Sequence, residues 1–282
     1  MMTVWQALAL GKQTLGEVPD PKVDAALLLG DIMGETPMAL RLQAQRSLTP
    51  EQEERFRSLL LLRAAREPLQ YLLHTQCFFG RDFWVDARVL IPRQETETLC
   101  ELALESVREI PAPHVLDLCT GSGAIAVTLK GQRPDALVVA TDVSGDALAV
   151  ARSNAERNGA EVRFLQGDLF VPVEDETFDC IVSNPPYIES AECDALQPEV
   201  MREPRLALDG GGDGLTFYRR IAQSAPLRLN PDGQLLVEVG DGQAAAVAAL
   251  FAETEKFLDV RIHRDLFGLE RFVTALRAAF PT

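Results

Sequence analysis

The sequence predicts an α/β fold: a largely parallel sheet covered by helices on both faces, with a small helical domain and a β-hairpin connector ahead of it. Three observations carry this expectation. From about residue 112 strand-like and helical stretches alternate, which implies parallel strands joined by crossover helices. Up to about residue 75 the apolar spacing is helical only. Between them lies a short run rich in aromatic residues. The expected division is a helical domain over 1–75, a hairpin connector over 76–90 and the α/β domain over 91–282.

The helical part is punctuated by terminus signals. Asp20-Pro21 opens and Gly34 closes a segment carrying Val23, Ala26, Leu27 and Leu28. Thr49-Pro50-Glu51-Gln52 reads as a capping box, followed by Phe56, Leu59, Leu60 and Ala64 at helical spacing. In the connector, Phe78, Phe79, Phe83, Trp84, Val85, Val89 and Leu90, with Gly80 among them, indicate short strands. The α/β part offers strands at His114–Cys119, Ala136–Asp142, Glu161–Gln166, Phe178–Ser183 and Gly233–Gly240. A helix over Ser144–Asn158 is capped by Ser144 and stopped by Gly159. Phe257–His263 and Arg271–Leu276 are late strands that extend the sheet edge. Gly210-Gly211-Gly212-Asp213-Gly214 reads as a flexible loop, since no strand leads into it and no P-loop Lys-Ser/Thr follows.

Composition narrows the function. The chain has 282 residues and a formal charge of −15. Residues 1–90 carry 10 basic and 11 acidic side chains, a net of −1, whereas residues 91–282 carry 17 and 31, a net of −14. A protein held to nucleic acid through phosphate contacts shows a basic footprint, so this balance disfavours one. The five cysteines are odd in number and never form a C-x-x-C pair, and the three histidines lack metal-ligand spacing. A reducing cytoplasm without a structural metal is the expectation. In the first 16 residues Lys12 follows the apolar stretch instead of preceding it, unlike a secretory leader, and no apolar run is long enough to span a bilayer.

The first chemical constellation is Asp117-Leu118-Cys119-Thr120-Gly121-Ser122-Gly123, a strand running into a glycine turn and then a helix. Alone this is an ordinary tight βα connection. Asp142, however, ends the next strand 21 positions after Gly121, where nucleotide-binding sheets place the acceptor for ribose hydroxyls. Asp168, with Leu169, follows the third strand and is placed to accept from an adenine amino group. The turn lacks dinucleotide spacing and is similar to the variant turn of S-adenosylmethionine-dependent methyltransferases, with Cys119 where the usual first glycine stands.

The second constellation, Asn184-Pro185-Pro186-Tyr187, follows directly on the fourth strand, beside the strand that enters the glycine turn. An amide or aromatic NH₂ nitrogen is a poor nucleophile because its lone pair is delocalised. It must be oriented, and its developing charge stabilised, before it attacks a methyl sulfonium. The Asn184 side-chain oxygen and the Pro185 carbonyl can each accept one N–H. Consecutive prolines hold these acceptors by locking φ, and the Tyr187 ring offers a stacking face. Adenine-N6, cytosine-N4 and glutamine-N5 methyltransferases all use this solution, and the four residues alone leave the choice open.

The flanking residues choose. Glu67-Pro68-Leu69-Gln70-Tyr71, Phe79-Gly80-Arg81-Asp82-Phe83, Ile91-Pro92-Arg93-Gln94-Glu95-Thr96-Glu97, Arg202-Glu203-Pro204, Ala207-Leu208-Asp209-Gly210-Gly211 and Leu236-Val237-Glu238-Val239-Gly240 together resemble the HemK/PrmC family of release factor glutamine-N5 methyltransferases. The resemblance is specific over residues 67–273. It implies a Rossmann-like class I methyltransferase sheet, S-adenosylmethionine as methyl donor with no metal, and the glutamine of a release factor's Gly-Gly-Gln loop as acceptor. It also implies that Asn184, Pro185, Pro186 and Tyr187 form the glutamine site. Asp117, Cys119, Thr120, Gly121, Ser122, Gly123, Asp142, Asp168, Leu169 and Asn184 would hold the cofactor, and Pro92-Arg93 to Thr96-Glu97 would lie beside them. Three positions depart from the family pattern: Gln94 for proline, His74 for glycine, and Cys119. The alternatives are a ribosomal protein as substrate, an adenine-N6 enzyme on DNA or RNA, and a non-catalytic cofactor-binding module. A cytoplasmic monomer acting on a protein, away from membranes, is expected.

Overall fold

Capping residues delimit the first helices. In the computed structural model, which describes residues 1–278, Thr3 caps α1 (Val4–Thr14) through a reciprocal bond with Gln6, and Pro21 enters the first turn of α2 (Pro21–Met33). Asp20 makes no side-chain capping bond there. A short α3 (Pro37–Leu42) follows, and then α4 (Pro50–Ala64), where Thr49 and Gln52 form the expected capping box at 3.2 and 2.9 Å. A last short helix, α5 (Leu69–Leu73), ends at His74 with φ +52°. Val4, Ala7, Leu28, Leu29, Leu40, Phe56 and Leu60 form the core of these helices.

The buried stripe of α2 differs from the sequence expectation. Val23 is exposed, and Asp24, Ala25, Leu28 and Leu29 face inward. Apolar residues nearly encircle this helix, so the pattern alone did not select a face. Close approach to α1 does, because a Cβ on Gly11 would stand 2.5 Å from that of Ala25. The inward Asp24 is paired: Arg63 on α4, itself buried, donates to it at 2.7 Å and to Glu199 at 2.8 Å. Arg66 also reaches Glu199, at 2.6 Å. The first compact unit therefore comprises Met1–Thr75 with Gln197–Arg202, a segment far along the chain.

The second unit comprises Gln76–Leu196 and Glu203–Thr282. It begins with the hairpin of β1 (Gln76–Phe78) and β2 (Arg81–Phe83), whose Phe78 and Phe83 rings meet edge-on at 6.0 Å. After α6 (Thr96–Ser106) come β3 (His114–Leu118), α7 (Ala124–Gln132), β4 (Leu137–Asp142), α8 (Gly145–Arg157), β5 (Arg163–Gln166) and β6 (Phe178–Ser183). Then follow α9 (Thr216–Ser224), β7 (Leu229–Glu238), α10 (Ala244–Glu253), β8 (Phe257–Arg264) and β9 (Glu270–Arg277). The sheet order is β5-β4-β3-β6-β7-β9-β8, parallel from β5 to β7 and antiparallel beyond. Thus β9 inserts between β7 and β8, and β8 forms the edge.

Both faces of the parallel strands are apolar. Leu116, Ile181, Leu235 and Val237 pack against Tyr218 and Ile221 of α9 and Val247 and Phe251 of α10. Val115, Cys180, Val182 and Leu236 pack against Leu99 and Ala103 of α6 and Ile125 and Leu129 of α7. The chain winds outward from β3 to β5 and then returns to place β6 on the other side of β3. A ligand crevice opens where strand order reverses in this way, at the carboxyl ends of the strands.

Candidate active site

The carboxyl end of β3 enters its turn in a left-handed conformation: Cys119, Gly121 and Gly123 have φ of +58°, +54° and +82°. Beneath them Asp117 is fully buried. Its Oδ2 accepts from Thr120 Oγ1 at 2.6 Å and from the Ala126 amide at 3.2 Å, while Oδ1 has no partner among the described residues. Burial pushes this carboxyl up to about 7. Asp117 thus holds the turn from inside and does not line the cavity. Gly123 also lies behind the wall, against Ala151 of α8.

Asp142 reaches the turn from β4. Its Oδ2 accepts from the Gly121 amide and its Oδ1 from the Ser144 amide, both at 2.9 Å. Burial raises its pKa, and these backbone donors act in the opposite sense. Each carboxylate oxygen retains further acceptor capacity, and Asp142 lines the cavity. Leu169, with φ +48°, is held by Thr141 Oγ1 donating to its carbonyl at 3.1 Å. Asp168 lines the cavity but is paired with Arg220 of α9 at 2.6 Å, an interaction the sequence did not signal.

The cavity is walled by Cys119, Thr120, Gly121, Ser122, Asp142, Asp168, Leu169, Asn184 and Pro186 among the expected residues. Pro92, Arg93 and Thr96 join them, with Phe78, Leu90, Ile125 and Phe217 as apolar surface. Glu203, buried, anchors the 91–93 stretch: it accepts from the Ile91 amide at 3.1 Å and from Arg93 at 2.6 Å. Burial raises its carboxyl and Arg93 lowers it. Glu97 turns away and accepts from the Phe79 amide at 2.8 Å.

Ser183 ties the end of β6 to β3 by donating to the Leu118 carbonyl at 2.9 Å. Asn184 therefore emerges beside the glycine turn. Its Nδ2 donates to Thr96 Oγ1 at 3.3 Å, and no described residue donates to its Oδ1. Pro185 and Tyr187 lie outside the cavity lining. Arg271 stands 5.8 Å from the centre of the Tyr187 ring, and Gln243 donates to the Tyr187 carbonyl at 2.9 Å. Burial raises the Tyr187 hydroxyl.

The glycine run after Asp209 is bound to this turn, contrary to the expected flexible loop. The Gly210 amide donates to the Ile188 carbonyl at 2.8 Å, and a Cβ on Gly210 would stand 2.7 Å from Tyr187 Cα. Thr96, Glu238 and Arg271 are neighbours of the tetrapeptide that sequence reasoning left without roles. They lie 88, 54 and 84 positions from the tetrapeptide residues they approach, and no local pattern marks such pairs.

These residues fit S-adenosylmethionine. Gly121 borders the cavity with open space where a side chain would project, Asp142 offers acceptors, and Phe217, Ile125 and Leu169 offer apolar walls. The methyltransferase small domain family matches residues 93–220, and the PrmC N-terminal domain family matches residues 6–73. The release factor glutamine methyltransferase of Geobacter sulfurreducens is 48% identical over 260 residues, covering 91% of this chain and 89% of that one. The protein of the same description from Deinococcus radiodurans is 42% identical over 270 residues, covering 96% of each. A methyltransferase structure from Pyrococcus furiosus matches with a TM-score of 0.52 at 19% identity, over 71% of this chain and 91% of that one, and bears on fold alone. Among the described residues no helix is long and apolar enough to cross a membrane. The sheet is that of a class I S-adenosylmethionine-dependent methyltransferase, and the chain belongs to the release factor glutamine methyltransferase family.

Proposed function

We propose that the protein methylates the side-chain amide nitrogen, N5, of the glutamine in the Gly-Gly-Gln loop of peptide chain release factors. The observation that carries this is the Asn184 amide at the cavity wall, its NH₂ end bonded inward to Thr96 and its oxygen left as an acceptor. S-adenosylmethionine supplies, when bound, a methyl group made electrophilic by the sulfonium. Asn184 Oδ1 and the Pro185 carbonyl each accept one N–H of the glutamine amide, which orients the nitrogen and spreads the charge it gains. No strong base is needed, because the amide proton becomes acidic once charge develops and is lost to water afterwards. Pro186 keeps the turn rigid, and Tyr187, held by Arg271 and Gln243, backs the substrate pocket. Asp142 and the Thr120–Ser122 backbone would hold the cofactor, with Asp168 and Leu169 available to its base.

The helical unit takes part in recognising the protein substrate. The net charge of −14 over residues 91–282 suits a basic, nucleic-acid-binding protein partner. Unpaired cysteines suit a cytoplasmic enzyme. Labelled S-adenosylmethionine offered in parallel to release factor, ribosomal proteins, DNA and RNA tests the reading. Label is expected in the release factor glutamine, and label confined to nucleic acid would refute it. Asn184→Ala is expected to abolish transfer while cofactor binding persists, because it removes a contact made in the transition state.

A further inference from the structure

Two buried groups outside the tetrapeptide form a hydrogen-bonded chain that ends on its one side-chain amide, Asn184. Thr96, at the start of α6, is 5% exposed, and Glu238, at the end of β7, is fully buried. Thr96 Oγ1 donates to Glu238 Oε2 at 2.6 Å and accepts from Asn184 Nδ2 at 3.3 Å. Tyr218 donates to the Glu238 backbone carbonyl at 2.8 Å and fixes the strand end that carries the carboxyl. A threonine hydroxyl has one proton, and that of Thr96 is directed at Glu238 Oε2. Once that proton points at Glu238, the hydroxyl faces Asn184 as an acceptor. It therefore selects the NH₂ end of the amide and excludes the oxygen.

We propose that Thr96 and Glu238 are positioning residues that set the rotation of the Asn184 amide, Nδ2 inward and Oδ1 to the cavity, resting on the reading that Asn184 accepts from the substrate amide. The two ends of an asparagine amide are nearly the same size, so packing alone does not choose between them. The inverted rotamer would set NH₂ against the NH₂ of the glutamine, donor against donor, and the orienting bond would be lost. A relay from β7 through α6 to the end of β6 removes that ambiguity before substrate arrives.

Thr96→Val deletes the hydroxyl at nearly constant size, and Thr96→Ser retains it. Both are measured on the full chain with release factor and S-adenosylmethionine for kcat and KM. S-adenosylhomocysteine affinity is taken by calorimetry, and the Asn184 side-chain NH₂ resonances are assigned by their absence in Asn184→Ala. The valine variant is expected to lose about tenfold or more in kcat, with KM and cofactor affinity changed by about twofold or less, and to shift the Asn184 NH₂ pair. The serine variant is expected to recover kcat to within about threefold. Wild-type kcat in Thr96→Val, or a serine variant as impaired as the valine one, would overturn the relay. An inactive Asn184→Ala beside a normal Thr96→Val removes the relay alone, whereas an active Asn184→Ala removes the acceptor role and the relay with it.

Discussion

Gly121 and Gly123 stand two residues apart in the same turn, both left-handed, yet alanine should fail at each for a different reason. At Gly121, φ +54°, nothing lies within 4 Å of an added Cβ, and the residue borders the cavity. Gly121→Ala is expected to destabilise the fold by about 1–2 kcal/mol, the ordinary penalty of a left-handed alanine. Its methyl enters space the cofactor uses, so affinity for S-adenosylhomocysteine should weaken about tenfold or more. At Gly123, φ +82°, the added Cβ meets Ala151 Cβ at 3.1 Å, Cα at 3.2 Å and O at 3.4 Å, all anchored on α8. The backbone penalty then combines with overpacking of about 1–3 kcal/mol, for a loss of about 2–5 kcal/mol. Folded Gly123→Ala should still bind the cofactor product within about threefold of wild type, since Gly123 does not line the cavity. Urea titrations give the stabilities and calorimetry gives the affinities. Wild-type binding by Gly121→Ala, or a smaller stability loss at Gly123 than at Gly121, would refute the division of the turn into a wall and a support.

Two further predictions concern buried charge. Burial raises the Glu238 carboxyl from 4.5 to about 7, against the opposing pull of Thr96 and Arg271. The folded state therefore holds the proton more tightly than the unfolded one, and the stability this contributes is full below pH 4.5 and lost as pH rises through about 7. Glu238→Gln should consequently gain about 3 kcal/mol on wild type between pH 4 and 8, read from urea midpoints, and a difference independent of pH would count against it. In the helical unit Arg63 neutralises Asp24 and Glu199 while only 5% exposed, so Arg63→Ala should cost about 3–5 kcal/mol in chemical denaturation. A loss below about 1 kcal/mol would mean that the cluster behaves like a solvated surface pair.

What the sequence disclosed was whatever local chemistry writes into consecutive residues. Capping boxes, strand-ending carboxylates and the Asn-Pro-Pro-Tyr turn are short patterns whose physical constraints lie within a few positions. Asp142 and Asn184 accordingly stand at strand ends beside the glycine turn. What it withheld were bonds that exist only after the strands have been ordered. Thr96 and Glu238 meet across 142 positions, Arg63 and Glu199 across 136, and Arg271 approaches Tyr187 only because β9 inserts beside β7. The glycine run after Asp209 misled for the same reason: its composition signals freedom, but Gly210 is small because Tyr187 lies against it.

The departures from the family pattern can be sorted by the same reasoning. His74 and Cys119, each at a position where the family favours glycine, have φ of +52° and +58°. The preference there is explained by backbone conformation without invoking a ligand, because a left-handed residue with a Cβ costs about 1–2 kcal/mol. At Cys119 the chain carries that strain and keeps the turn, so the geometry there is imposed by its surroundings: the Asp117 bonds, the Asp142 bond to Gly121 and the packing of Gly123. Gln94 is exposed just before α6 and does not line the cavity. Among the described residues neither Cys119 nor Gln94 is a hydrogen-bond partner of Asn184, Thr96 or Glu238. Substitution at His74 therefore acts through the backbone and Cys119 acts also through the cavity wall it forms, while the orientation of the acceptor amide rests on Thr96 and Glu238, which the departures leave intact.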